Sequence, residues 1–323
     1  MDRTASWFWP VAKDVGVSCS FDIRLTILRS GLFSAYSEPE YAEGELTMQS
    51  HISAARLEGA EAEFMYQYES MAPRSVATSL GIVTARIGGG VVLSMRNDVT
   101  GYWNKALGFG FAEPVRRDLI DRVIDFYKSE RSPGAVLQIA PGVLPTDWYE
   151  ICRSRDIRED SRWFKLTCSV DRFRPVERTT LRVGPVGPDD VGAWARTTLR
   201  GFGMPEEGLA EMFAASTSNP AFRPFAAWDG DEMVATANLF IDGEVGSLNA
   251  GATLPSHQNR GAQSALIAAR GKHAVAAGCR WLVAETGEPA EGAVNPSLNN
   301  LVRAGLQPRY ARQNWVWHSG GSV

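Results

Sequence analysis

The stretch HQNRGAQSALIAARGKHAVAAGCRWLVAE, from His257 to Glu285, opens on polar residues and a glycine, turns alanine-rich and closes on a short apolar run. Alanine is the strongest helix former, and Gly278 stands where a glycine would end a helix. The pattern therefore predicts a helix over 265–277 followed by the strand RWLVAE. The helix start falls near Gly261 to Ser264. A helix's first turn leaves backbone N–H groups without partners and carries about half a positive charge, an arrangement that attracts phosphate. Gly261 and Ala262 are small enough to admit a diphosphate to those amides, and Arg260 adds a charged contact. The residues QNRGAQ also read as a solvated turn capped by polar side chains, and by themselves they leave both readings open.

Upstream, FAAWDGDEMVATANLFIDGEVGSLNAGATL breaks at Asp229-Gly230 and Asp242-Gly243, the strongest hairpin signals in the chain, and predicts three antiparallel strands. Before them, TLRVG predicts a strand, with helices over 188–202 and 205–217. Past Glu285, the pattern predicts a short helix over 296–303 and the strand RYARQNWVWH. Asp171 to Thr180 is charged, carries a proline and reads as a linker. In the front half, Ile52, Ala55, Ala60, Phe64, Tyr68 and Met71 fall at helical spacing within 47–71. GIVTARIGGGVVLSMR then predicts two strands joined at Gly88 to Gly90, and NKALGFGF a third. A helix over 114–131, the strand AVLQIA, a helix over 145–153 and the strand SRWFKLTCSV follow.

Both halves close on the same alternation of strands and helices, which predicts a duplicated unit with a sheet in each half. A length of 323 residues accommodates two domains. The expected boundaries are a loosely attached extension over 1–46, a first domain over 47–171 and a second over 179–319. Met48 reads equally as a start.

Lysine and arginine number 33 against 37 acidic residues, a formal charge of −4 that offers nothing to nucleic acid and favours a small-molecule partner. Cys19, Cys152, Cys168 and Cys279 form no C-x-x-C pair, so they read as reduced thiols of a cytoplasmic protein. The four histidines are scattered without metal-site spacing, and no metal is expected. No apolar run approaches the roughly 20 residues needed to cross a bilayer, and Pro10, Lys13 and Asp14 interrupt the start as a signal peptide. No membrane partner is expected, and a monomer or homodimer fits the length.

A strand, then Q-x-x-G-x, a helix, a strand, a short helix with Asn299 and Asn300, Arg303-x-Gly305 and an aromatic closing strand together resemble the GNAT acyltransferase superfamily, over about 180–317. Gln258 and Gly261 match that family's Q/R-x-x-G-x-G/A loop, and Gln263 stands where the family has a small residue. The resemblance implies an α/β fold, a mixed, mostly antiparallel sheet flanked by helices, here as two such domains in tandem. It implies acetyl-CoA, or another acyl-CoA, as co-substrate. The loop residues Gln258, Asn259, Arg260, Gly261, Ala262, Gln263 and Ser264 would hold the diphosphate. The pantetheine arm would run along Ala252, Thr253 and Leu254, and Asn300 would touch the cofactor or cap its own helix.

The implied reaction is direct attack of a primary amine on the thioester, supported by a main-chain amide. No Cys-His pair or G-x-S-x-G motif suggests a covalent intermediate. The tyrosine that often protonates the thiolate in this family is replaced by Leu301. Tyr310 is the substitute candidate, with strand packing as the alternative. Glu285 is the candidate base, with an exposed carboxylate at the sheet mouth as the alternative. A protein that binds acyl-CoA without turnover, as sensor or scaffold, is the competing function. The front half resembles the same fold with its loop degenerate: in GFGFAEPVRRD, Glu113 would repel phosphate and Pro114 lacks an N–H. GFGF and IGGG lack the spacing of a dinucleotide fingerprint.

Overall fold

Helix α1 (Ala54–Ser70) starts where the Ser53 hydroxyl accepts the Arg56 amide at 3.2 Å and ends just before Pro73. In the computed structural model, which describes residues 51–320, this helix packs across one face of a single sheet. It buries Leu57, Ala60, Phe64, Met65 and Tyr68, and with them three carboxylates, Glu58, Glu61 and Glu69. A short helix α2 (Arg74–Leu80), which the sequence reading did not anticipate, follows before the first hairpin.

The rest of the front half is β1 (Ile82–Ile87), β2 (Gly90–Met95), β3 (Lys105–Leu107), α3 (Arg117–Ser129), β4 (Gly134–Gln138), α4 (Trp148–Ser154) and β5 (Ile157–Ser169). The back half runs β6 (Arg182–Pro185), α5 (Val191–Phe202), α6 (Leu209–Ser216), β7 (Phe222–Asp229), β8 (Glu232–Asp242) and β9 (Val245–Thr253). It continues through α7 (Ala262–Ala276), β10 (Trp281–Gly287) and α8 (Pro296–Arg303) to β11 (Gln307–His318). The hairpins turn at the expected glycines, Gly88 and Gly89, Gly230 and Gly243, all with positive φ.

All the strands join in one 11-stranded sheet of order β1-β2-β3-β4-β11-β5-β10-β9-β8-β7-β6. The expectation of a sheet in each half is corrected. The closing strands are exchanged, so that β11 of the back half pairs antiparallel with β4, and β5 of the front half pairs antiparallel with β10. The physical reason is edge removal: as closing strands of two separate sheets β5 and β11 would each present an open edge, whereas here each is paired on both sides in a continuous ladder. Only β3 with β4 and β9 with β10 run parallel, placed symmetrically about the central β11–β5 pair. The described residues from Ile52 onward form one compact unit. The expected extension over 1–46, Cys19 and the alternative start at Met48 lie outside the described residues.

Two apolar layers cover the back half of the sheet. Leu166, Phe225, Leu239, Leu266, Leu282 and Leu306 belong to the layer shared with α7 and α8. Trp194, Leu199, Met212, Phe213 and Phe240 pack with α1, α5 and α6 on the other. The buried tryptophans Trp103, Trp148, Trp194, Trp228, Trp315 and Trp317 are core, as expected. The linker segment 173–180 lies along α7: Phe173 packs on Gly271, Glu177 pairs with Lys272 at 2.6 Å, and Thr179 donates to the Arg260 carbonyl at 2.7 Å.

Candidate active site

Strands β9 and β10 pair in parallel only from Val245↔Trp281 to Ser247↔Val283, and no pairing continues beyond. Thr236 of β8 faces Ala252 of β9 while Asn238 faces Asn249, so Ala250 and Gly251 form a bulge in β9 opposite Ala237, with Ala250 at φ 50°. Arg270 of α7 steadies this bulge, donating to the carbonyls of Asn238 at 2.9 Å and Asn249 at 3.0 Å.

Helix α7 begins beside the bulge. Its N-cap is Gly261 at φ 79°, no side chain caps it, and its first intrahelical bond is Ala265 N–H to the Gly261 carbonyl. The amides of Ala262, Gln263 and Ser264 are thus the orphan donors of an uncapped helix start, a fit to an anionic diphosphate. Gln263 turns to β9 and donates to the Ala252 carbonyl at 2.8 Å and the Thr253 hydroxyl at 3.0 Å, which removes its side chain from that turn. Ser264 donates to Asn300 at 3.3 Å, tying α7 to α8.

The structure gives three of the sequence candidates further roles, and removes one alternative. Gly261 is bare because a Cβ there would collide with the Arg178 carbonyl of the linker, so its smallness serves the linker's approach. Arg260 is held in an exposed ion pair with Asp229 at 2.5 Å. Asn300 does not cap α8: Asn295 does, accepting the Leu298 amide at 3.1 Å.

Glu285 sits on β10 two residues past the last parallel pair and faces α1. It is not at an exposed mouth; its side chain is 7 % exposed and accepts from Lys165 of β5 at 2.8 Å. Lys165 also donates to Glu61 at 2.5 Å. Arg312 of β11 donates to Glu61 at 3.0 Å and, more closely, to Glu58, which accepts the Tyr310 hydroxyl at 2.7 Å. The two sequence candidates, Glu285 and Tyr310, are therefore the ends of one buried chain of hydrogen bonds. The register explains it: Lys165 stands opposite Glu285 on one side and Tyr310 on the other, and α1 lays Glu58 and Glu61 across the row.

Burial raises the pKa of Glu285, with Lys165 acting against the rise. Burial also works against the charge of Glu61, but Arg312 and Lys165 outweigh it and hold that carboxyl far below its usual range. Burial and then the Glu58 charge push the Tyr310 phenol well up, which makes its proton harder to release. Sequence reasoning missed Glu58, Glu61, Lys165 and Arg312. Their signal was there: charged residues on the apolar stripe of α1 and inside the apolar runs of β5 and β11.

The degenerate counterpart in the front half is also changed. Helix α3 begins at Arg117, so Pro114 takes no place in its first turn, and Glu113 is paired with Arg122. A cavity of about 610 Å³ lies there, lined by Pro114 and Val115, by the cations of Arg116 and Arg117 and by the carboxylates of Asp118 and Asp147 among others.

Residues 192–295 match the family model described as the acetyltransferase (GNAT) family. Over this segment the chain is similar to the GNAT family. No curated protein matches the chain by sequence. Among solved structures the chain is similar to a GCN5-related N-acetyltransferase from Kribbella flavida, at 16 % identity and TM-score 0.55 over 83 % of this chain and 96 % of that one. It is similar to a GCN5-related N-acetyltransferase from Sphaerobacter thermophilus, at 11 % identity and TM-score 0.55 over 84 % and 95 %. A tandem GNAT protein from the clavulanic acid biosynthesis pathway is also similar, at 13 % identity and TM-score 0.51 over 84 % and 97 %. These likenesses show a shared fold across most of the chain, a mixed α/β architecture compatible with the tandem GNAT arrangement. Within the matched segment lie α7, the bulge and Glu285; Asn300 and Tyr310 follow it. Among the described residues no helix is long and apolar enough to cross a membrane, and no group of three or more His, Cys, Asp or Glu is placed to hold a metal.

Proposed function

We propose that the chain transfers an acetyl or short acyl group from acyl-CoA to a primary amine. The observation that carries this reading is the uncapped start of α7 beside the point where β9 and β10 part, with Glu285 on the same parting strand. The amides of Ala262, Gln263 and Ser264 would hold the diphosphate, with Gln258, Asn259, Arg260 and Gly261 shaping the loop and Asn300 closing it from α8. Ala252, Thr253 and Leu254 would flank the pantetheine arm; Gln263 already occupies the Ala252 carbonyl, so main-chain contacts to the arm would come from the bulged Ala250 and Gly251, which have no ladder partner on β8. Bound acyl-CoA supplies a thioester carbon open to attack by an amine.

Glu285 is the proposed base, taking a proton from the acceptor's ammonium so that its nitrogen lone pair is free. Lys165 fixes that carboxylate, and burial makes it a stronger proton acceptor than an exposed glutamate. The experiment is release of free thiol from acetyl-CoA across a panel of primary amines. Turnover that depends on one or a few of them supports the reading, and no turnover with any amine overturns it.

A second reading, an acyl-CoA binder without turnover, has its own support. Leu301 is buried in the core where the family often has a tyrosine, and Tyr310 would have to release Glu58 before it could protonate a leaving sulfur. The same panel separates the two, since a binder retains coenzyme A affinity and releases no thiol.

A further inference from the structure

Four cations are buried among the described residues: Lys105, Lys165, Arg270 and Arg312. Lys165 and Arg312 donate to carboxylates and Arg270 to carbonyl oxygens. Lys105 differs. It is 4 % exposed, yet among the described residues no hydrogen bond or ion pair holds its Nζ, which instead lies 3.5 Å from the centre of the Tyr102 ring and 5.7 Å from that of Trp163. An ammonium taken out of water with its N–H donors unmatched is costly, and the cost is relieved when an acceptor arrives.

The residues around it connect this cation to the candidate base. Trp163 stands opposite Gly287 in the β5–β10 ladder, two residues beyond the Lys165↔Glu285 pair, and Tyr102 and Trp163 are both only partly buried. Lys105 therefore lies behind two aromatic rings that border solvent, on the face where Glu285 meets α1. The nearby Glu69 does not neutralise it. Burial and then Asp98 push the Glu69 carboxyl well above its usual range, with Lys105 acting against the rise, and neither of its oxygens has a hydrogen-bond partner, so no ion pair joins it to Lys105. Burial, with Arg312 adding to it, lowers the Lys105 pKa to about 8 against the pull of Glu61 and Glu285. A ligand bringing only a second ammonium would be repelled by Lys105. One bringing an anion would supply the missing acceptor.

We propose that the acceptor is an amino carboxylate, its amine directed to Glu285 and its carboxylate bound by the Lys105 ammonium between Tyr102 and Trp163. This deepens the acyl-transfer reading and rests on it for the role of Glu285, but binding can be tested without turnover. The probes are free α-amino acids and the short ω-amino acids β-alanine and γ-aminobutyrate, each beside its carboxamide and its decarboxylated amine. Affinity is measured by calorimetry on the full chain and turnover by thiol release. The expected result is that at least one amino acid binds, and that its amide and amine bind at least about tenfold more weakly. Lys105→Met should erase that difference by weakening the carboxylate alone, and Lys105→Arg, which keeps the charge, should restore part of it. The thermal midpoint of each variant reports folding.

If the decarboxylated amines bind or react as well as the amino acids, or if Lys105→Met weakens both equally while still folded, the proposal is overturned. Failure of every amino acid to bind the native chain overturns it too. Carboxylate-selective binding with no thiol release would instead sink the acyl-transfer reading and leave the carboxylate site standing.

Discussion

Lys165 shows how much one side chain decides here. Its ammonium lies between Glu61 and Glu285, 1 % exposed, and both carboxylates depend on it for compensation. Coulombic attraction in a buried site is strong, but so is the cost of leaving a charge behind: breaking one partner from such a pair destabilises by about 3–5 kcal/mol. Lys165→Met should therefore lower the unfolding free energy by that order. It should also have a second effect that packing loss cannot mimic. The Lys165 charge is the leading influence that opposes the raised pKa of Glu285, so removing it sends that carboxyl further up. A base must be deprotonated to act, so the acid limb of kcat/KM should move to higher pH, by about 1–3 units, and Lys165→Arg should bring it most of the way back. An unmoved limb in a folded Lys165→Met protein would mean that another group titrates in the reaction.

Helix α7 carries the other half of the candidate site, and its first turn is a place where stability and ligand affinity should respond in opposite directions. An aspartate in the first turn favours a helix by about 0.3–1 kcal/mol, because it answers the partial positive charge there. Ser264→Asp should then leave the melting temperature unchanged or raise it, while placing a negative charge where a diphosphate would sit. Coenzyme A affinity measured by calorimetry should fall at least about tenfold; an unchanged affinity would move attention to the cavity beside Arg116 and Arg117. Elements of this kind were readable from local signals. Asp229-Gly230 and Asp242-Gly243 set their hairpins, and the short helix over 296–303 was bounded by its proline and asparagines. The contacts that give those elements their roles were not readable, because their partners are far away in the chain. Arg260 is claimed by Asp229, Gly261 by the carbonyl of Arg178, and Glu285 by Lys165, which lies 120 residues earlier. The acidic stripe of α1 was visible in principle. Glu58 and Glu61 fall on the same face as Leu57 and Met65, and a carboxylate at a core position implies a buried cation to meet it.

At the scale of the whole molecule, the repeat was legible and the exchange of its closing strands was not. Local patterning says that β5 and β11 are strands; which edge each one joins depends on the edges left open elsewhere. The consequence is that the two halves complete one another's interior. The back half contributes Glu285, Tyr310 and Arg312, the front half Lys165 and the carboxylates of α1, and α1 also covers Val245 and Val283 of the back half. Residues 179–320 produced alone would lack β5 and α1. They would present the edge of β10, two uncovered valines, and a buried carboxylate and guanidinium without their partners. That fragment should aggregate and give no cooperative melt. Produced together with residues 51–178 as a separate chain, it should become soluble and co-elute with it on size exclusion, because seven paired positions from Trp281↔Ser169 to Gly287↔Trp163 and the ion pairs of α1 re-form across the cut. A monomeric, cooperatively melting 179–320 fragment would show that the exchanged strands are dispensable and that the back half is a domain in its own right.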